Sequence, residues 1–280
     1  TTVRAFTNAG FDIFGDSLTR FAGDYFVLTV NMILILFGAI GFPVLMEVKE
    51  YLTRPRKTYR FSLFVKINVL TFFLLLLGGF FAILMLENDH SFAGMSWHEK
   101  FYFALFYSIT ARSAGLSTMD VNEFALPTQL LLCAMMFIGA SPSSVGGGIR
   151  TTTFALLLLM LVYYARGYDE IKVFRREIHP EDKQKAVMVA TGAVLLVSLS
   201  LFLLAVTEEA PLETLLFEAC SAFGTTGLSL GITPQLSDVG KLVLIGLMFV
   251  GRIGVFALLL LFRPRRKVNY HYAKERIIVG

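Results

Sequence analysis

Three short stretches decide how this chain is read: AFTNAGFD at 5–12, TARSAGLS at 110–117 and AFGTTGLS at 222–229. They align without gaps on Gly10, Gly115 and Gly227, at spacings of 105 and 112 residues. The context repeats as well. A short apolar stretch precedes each glycine, a loop of small polar residues surrounds it, and a long apolar span ending in a basic loop follows. One unit is therefore helix, half-helix, loop, helix. The half-helices are clearest at 97–110 (WHEKFYFALFYSIT) and 212–223 (LETLLFEACSAF). Each is too short to cross a bilayer and apolar enough to enter one, as a re-entrant pore helix does. Glu99 and Glu213 lie in their first turns, where the positive end of the helix dipole favours an acid. The partly negative ends then point inward, a favourable setting for a cation at mid-membrane.

Composition places these loops in lipid. The chain has 280 residues, 55% hydrophobic and only 16% charged, with a mean hydropathy of +0.67. A soluble domain of this size is not so apolar. Five stretches, about 25–48, 61–86, 127–164, 186–206 and 241–262, reach the roughly 20 residues that a span requires. The loops at 49–66, 166–185 and 263–276 carry six Lys or Arg each, 18 of the 25 in the chain. LENDHSFAGMSWHEK and TEEAPLET, the alternate connections, are dominated by Glu and Asp. The positive-inside rule then puts the basic loops and the C-terminus in the cytoplasm. The net charge of +4 is thus a matter of topology and of anionic headgroups, and no nucleic-acid partner is expected. Cys133 and Cys220, without a CxxC or a nearby His, predict neither a disulfide nor a metal site.

Irregular backbone at membrane depth persists only where protein buries it or where it lines a water-filled path. A potassium ion gives up its hydration shell when a ring of backbone carbonyls replaces it. Glycine permits that geometry because it accepts positive φ without steric cost. The candidate filter segments are therefore Thr7, Asn8, Ala9 and Gly10; Arg112, Ser113, Ala114 and Gly115; and Gly224, Thr225, Thr226 and Gly227. Asn8, Ser113 and Thr225 are equivalent, and potassium is expected on the carbonyls of Gly10, Gly115 and Gly227.

The apolar run at 127–164 would measure about 57 Å as one helix, nearly twice a bilayer core. FIGASPSSVGGGIRTTT interrupts it, since Pro142 and the triplet Gly146, Gly147 and Gly148 break a helix. A Walker A loop is excluded because Ile149, not Lys, follows the last glycine. GASPSS is not supported as an intramembrane nucleophile, because His90, His98, His179 and His271 all fall in loops or tails. No enzymatic chemistry is implied. Arg252, in MFVGRIGVF, is expected near the middle of the last span, where a buried guanidinium needs a partner.

FTNAGFD, TARSAGLST and SAFGTTGLS resemble the filter sequences of the Ktr/Trk/HKT potassium transporter superfamily, and the resemblance covers essentially the whole chain. It implies an all-α membrane protein in which four tandem helix–pore loop–helix repeats surround one pore in a pseudo-fourfold arrangement. The family's first repeat has no counterpart here. The family filter has one glycine per unit, which implies looser selectivity over sodium than in tetrameric potassium channels. Potassium is the expected cargo, with sodium a further candidate. The broken segment corresponds to the family's gate loop, here Gly139, Ala140, Ser141, Ser143, Ser144 and Gly146 to Gly148, and Arg252 to an arginine that holds it. Arg150 also resembles a family basic position, and Arg112 is expected behind the filter, bracing it.

The expected organisation is half a repeat at 1–60, a full repeat with a broken second helix at 61–166 and a cytoplasmic linker at 167–185. A second full repeat at 186–266 and a cytoplasmic tail at 267–280 follow. Compact length and basic loops look more like KtrB than the longer TrkH. That likeness implies a homodimer in a bacterial plasma membrane, seated on a cytoplasmic ring of KtrA-like subunits that bind the nucleotide. The alternative, a secondary transporter with a midplane site at the discontinuous helix, predicts inverted repeats. The repeats here share one orientation.

Overall fold

The computed structural model describes residues 2–8, 17–53, 59–168 and 170–261. Among the described residues, the regular structure is helical apart from one short hairpin. Its helices are α1 (Thr2–Thr7), α2 (Tyr25–Ala39), α3 (Phe42–Thr53), α4 (Leu63–Glu87), α5 (Trp97–Thr110), α6 (Leu126–Ile138), α7 (Thr151–Ala165), α8 (Pro180–Thr207), α9 (Leu212–Phe223), α10 (Asp238–Ile253) and α11 (Val255–Leu261). The repeat is visible in this order. α4 and α8 are the long first helices, α5 and α9 the half-helices, and α6–α7 and α10–α11 the interrupted second helices. α1 to α3 correspond to the latter part of one further unit.

α4 and α8 are long and apolar enough to cross a membrane unaided, and the pairs α2–α3 and α10–α11 are so if each bent pair is one span. The stretches 25–48 and 241–262 are therefore not single straight spans, as their unbroken hydropathy suggested. α3 turns 98° from α2, and α11 turns 94° from α10. Each second helix is interrupted at a glycine with positive φ: Gly41 at 94°, Gly139 at 70° and Gly254 at 96°. Such a backbone ends a right-handed helix at no cost to glycine.

Capping carboxylates fix the ends of the repeat. Ser96 and Glu99 form a reciprocal capping box at the start of α5. Glu87, fully buried at the end of α4, accepts from the backbone N–H of Ala125, 3.0 Å away, at the start of α6. Glu208 does the same for α10, accepting from Ser237 N–H at 3.0 Å. Each first helix thus holds the start of its own second helix through one acid.

The core is one cluster running from α2 through α4, α5, α6 and α9 to α10, with the half-helices inside it. Cys133 of α6 and Cys220 of α9 are buried there as free thiols. At the basic end, strands β1 (Lys172–Val173) and β2 (Arg176–Glu177) form a hairpin whose turn residues, Phe174 and Arg175, both have positive φ. Ile171 and Ile178 dock it onto Ile67 of α4 and Ala155 of α7. Within the expected linker at 167–185, α8 already begins at Pro180.

Candidate functional site

The second and third candidate filter segments hang from the ends of α5 and α9. Ala114 N–H and Gly115 N–H donate to Thr110 O at 3.0 and 3.3 Å, and Leu116 N–H donates to Thr110 Oγ1 at 2.8 Å. In the third segment Thr225 N–H donates to Ala222 O at 3.0 Å and Thr226 N–H to Ser221 O at 2.9 Å. Gly227 N–H donates to Ser221 Oγ at 3.1 Å. In a planar trans peptide the carbonyl opposes the N–H. Three consecutive N–H groups spent on the half-helix therefore turn the carbonyls of Ser113, Ala114 and Gly115 away from α5, and those of Gly224, Thr225 and Thr226 away from α9.

A strand would alternate its carbonyls. Here positive φ recurs at alternate positions, at Ser113 (85°) and Gly115 (63°) and at Thr225 (49°) and Gly227 (95°). Asn8, at the equivalent place after α1, has φ 45°. A left-handed conformation at a residue other than glycine is uncommon, so its recurrence at Asn8, Ser113 and Thr225 marks one imposed geometry. Thr7 donates its hydroxyl to Val3 O at 2.8 Å. Ala9 and Gly10 lie outside the described residues. The second and third segments touch: a Cβ on Gly115 would lie 2.0 Å from Thr226 O, so no other residue fits without moving the neighbouring segment.

The loop between α6 and α7, Gly139 to Arg150, lies directly against these segments. Ser113 Oγ donates to Gly224 O at 2.7 Å and accepts from Gly147 N–H at 3.2 Å. One buried hydroxyl thus joins both candidate filter segments and the loop. Gly146 and Gly147 supply the close approach: a Cβ on Gly146 would meet Ser113 Oγ at 2.7 Å, and one on Gly147 would meet Thr225 Oγ1 at 2.7 Å. On its other side the loop pairs with the α2–α3 break. Ser141 N–H donates to Ala39 O, Phe42 N–H to Ser143 O and Val145 N–H to Gly38 O, at 3.1 to 3.2 Å.

The three arginines take different places. Arg112 is 2% exposed and points behind its segment, with Nη2 3.4 Å from Phe72 O and the guanidinium 4.9 Å from the centre of the Phe72 ring. Its Nε and Nη1 have no hydrogen-bond partner among the described residues. Arg252, expected buried in mid-span, is exposed in the last turn of α10, two residues before the Gly254 break. Its carbonyl, not its guanidinium, meets the loop, accepting from Arg150 Nη2 at 3.4 Å. Arg150 is the residue that sequence reading underrated. Its Nη1 also donates to Gly146 O and to Ser141 O, so one guanidinium clasps the loop and fastens it to α10.

The TrkH family, described as a cation transport protein family, matches residues 1–270. The chain is 54% identical over 280 residues to the Ktr system potassium uptake protein D of Bacillus subtilis, covering 100% of this chain and 62% of that protein. It is 33% identical over 286 residues to the potassium/sodium uptake protein NtpJ of Enterococcus hirae, covering 99% of this chain and 62% of that protein. Among solved structures it resembles the potassium transporter TrkH of Vibrio parahaemolyticus at a TM-score of 0.78 and 22% identity, over 93% of this chain and 57% of that one. The chain thus spans about three fifths of the length of the curated relatives it matches. The likeness to the TrkH structure supports the helix–pore loop–helix fold, and the family match extends over nearly the whole sequence. The chain belongs to the TrkH family of cation transport proteins.

Proposed function

We propose that the protein passes potassium across a bacterial plasma membrane, as one pore whose filter includes the segments ending at Gly10, Gly115 and Gly227. The carrying observation is the set of N–H groups at 114–116 and 225–227 bonded back to Thr110, Ser221 and Ala222. It turns the carbonyls of 113–115, 225 and 226 away from the half-helices, the arrangement that substitutes for water around a cation, while the Gly224 carbonyl is taken by Ser113 Oγ. In a pseudo-fourfold arrangement those carbonyls share one axis with the segment after α1 and that of a further unit. The loop from Gly139 to Arg150, packed under the segments and held by Arg150 against α10, acts as the gate. The name of NtpJ makes sodium a second candidate cargo.

The basic loops and the C-terminus face the cytoplasm in this reading. A homodimer sits on a cytoplasmic ring of nucleotide-binding KtrA-like subunits, which contacts the loops around 54–60 and 166–185. The Glu170–Lys172 ion pair of 2.7 Å and the docked hairpin belong to the second of these loops.

The test is rubidium uptake by cells lacking their own potassium uptake systems, with the full-length protein carrying Gly115→Ser or Gly227→Ser. Lost affinity or lost discrimination against sodium, in protein that still inserts, is the expected result. Unchanged affinity and discrimination in both variants would remove the filter assignment and favour a secondary transporter.

A further inference from the structure

α4 is a 25-residue apolar helix, yet Asn68 within it is completely buried. A polar side chain inside a span is retained where it meets other polar groups, because lipid offers it none. Its Nδ2 donates to Ile40 O at 3.0 Å. Ile40 is the residue at which α2 ends, so its carbonyl is one that the interrupted helix leaves without a helical partner. Its Oδ1 accepts from Thr151 Oγ1 at 2.6 Å. Thr151 is the first residue of α7, directly after the loop, and it is fully buried. Thr151 Oγ1 also lies 3.5 Å from Ser141 Oγ, and Thr151 N–H donates to Ala140 O at 3.1 Å. One amide therefore joins the break between α2 and α3 to both ends of the loop between α6 and α7.

We propose that Asn68 is a positioning residue that latches the intramembrane loop in its closed place, by using its donor on the Ile40 carbonyl and its acceptor on the Thr151 hydroxyl. This rests on the reading of the loop as a gate. Among the described residues, the side chain of Asn68 bonds to Ile40 and Thr151 and to no candidate filter carbonyl. It acts by making the two chain breaks one body, so that the loop leaves the pathway only when the Thr151 bond or the Ile40 bond is given up. A bond that merely packed α4 would stabilise the fold without affecting how often the loop opens.

The two roles separate in the full-length protein with Ser141→Cys, a near-isosteric change at a loop position that is fully buried while the loop is closed, as reporter. Its modification by a membrane-impermeant thiol reagent in inside-out vesicles needs no transport, and the native thiols Cys133 and Cys220 are buried. Asn68→Leu removes both bonds at similar volume, and Thr151→Val removes only the hydroxyl. Each is expected to raise the labelling rate about five- to tenfold, the latter corresponding to about 1.4 kcal/mol. The double variant is expected to match Asn68→Leu alone, since that substitution already removes the bond to Thr151. Rubidium flux is expected to rise in parallel. A labelling rate unchanged in Thr151→Val, or equal additive effects of the two substitutions, would overturn the latch. Faster labelling without faster flux would leave the latch standing and remove the gate reading.

Discussion

Replacing Ser113 separates the bonds of its hydroxyl from the geometry of its backbone. The hydroxyl is fully buried, donates to Gly224 O at 2.7 Å and accepts from Gly147 N–H at 3.2 Å. Ser113→Ala leaves two buried backbone groups without a partner, at about 1–3 kcal/mol each. Partial relaxation of the glycine-rich loop makes about 2–4 kcal/mol the expected total. Ser113→Gly removes the same bonds but relieves the positive φ of 85°, and is expected to recover about 1 kcal/mol of that loss. The unfolding midpoint in detergent should fall for both, further for Ala. Potassium-over-sodium discrimination in proteoliposome flux should fall similarly in both, because both lose the tie between the two segments. Wild-type discrimination in Ser113→Ala, with an unchanged midpoint, would refute the view that this hydroxyl joins filter and loop.

Arg112 already lacks partners for two of its nitrogens, so Arg112→Met at similar volume is expected to lower the midpoint less than Ser113→Ala does. The reverse order would show that the guanidinium is better satisfied than its contacts with Phe72 indicate. Glu208 is held below the usual carboxylate range by the Ser237 hydroxyl and then by the Ser237 N–H. Its cap on α10 therefore contributes fully above the unfolded carboxylate value and is lost as pH falls through the depressed folded value. Midpoints measured against pH should drop on acidification, and Glu208→Gln should reduce the slope; an equal slope in the variant would remove Glu208 from the effect. The tail 269–280 is proposed to reach the dimer partner, so deleting it is expected to weaken dimerisation, read by light scattering. Unchanged assembly would discard the assignment of that tail to the dimer.

The half-helices were legible because they combine a length, an apolar face and an acidic first turn in two copies, each ending shortly before a repeated glycine. α5 and α9 occupy the stretches 97–110 and 212–223 at which they were expected. The interruption in 127–164 was legible because the run is too long for one span. The bends at Gly41 and Gly254 were not. A single glycine in an apolar run looks the same whether it turns the chain, as Gly41 does, or admits a neighbouring backbone, as Gly38 does with Phe6 O 2.2 Å from its would-be Cβ. Local pattern was equally silent on partners distant in sequence. Ser113 bonds to Gly224, Asn68 to Thr151 and Glu87 to Ala125, and only the packed bundle brings each pair together. Arg252 was expected buried for a related reason: the break at Gly254, beside which its side chain lies exposed, was not visible in the apolar run.

The most direct measurement is anomalous diffraction from crystals of the full-length protein grown with rubidium or thallium. Anomalous density beside the carbonyls of Ser113 to Gly115 and of Thr225 to Thr226, on the side away from α5 and α9, is the expected result. Density confined to side-chain sites, with those carbonyls turned toward protein donors, would contradict a carbonyl-lined filter in this chain.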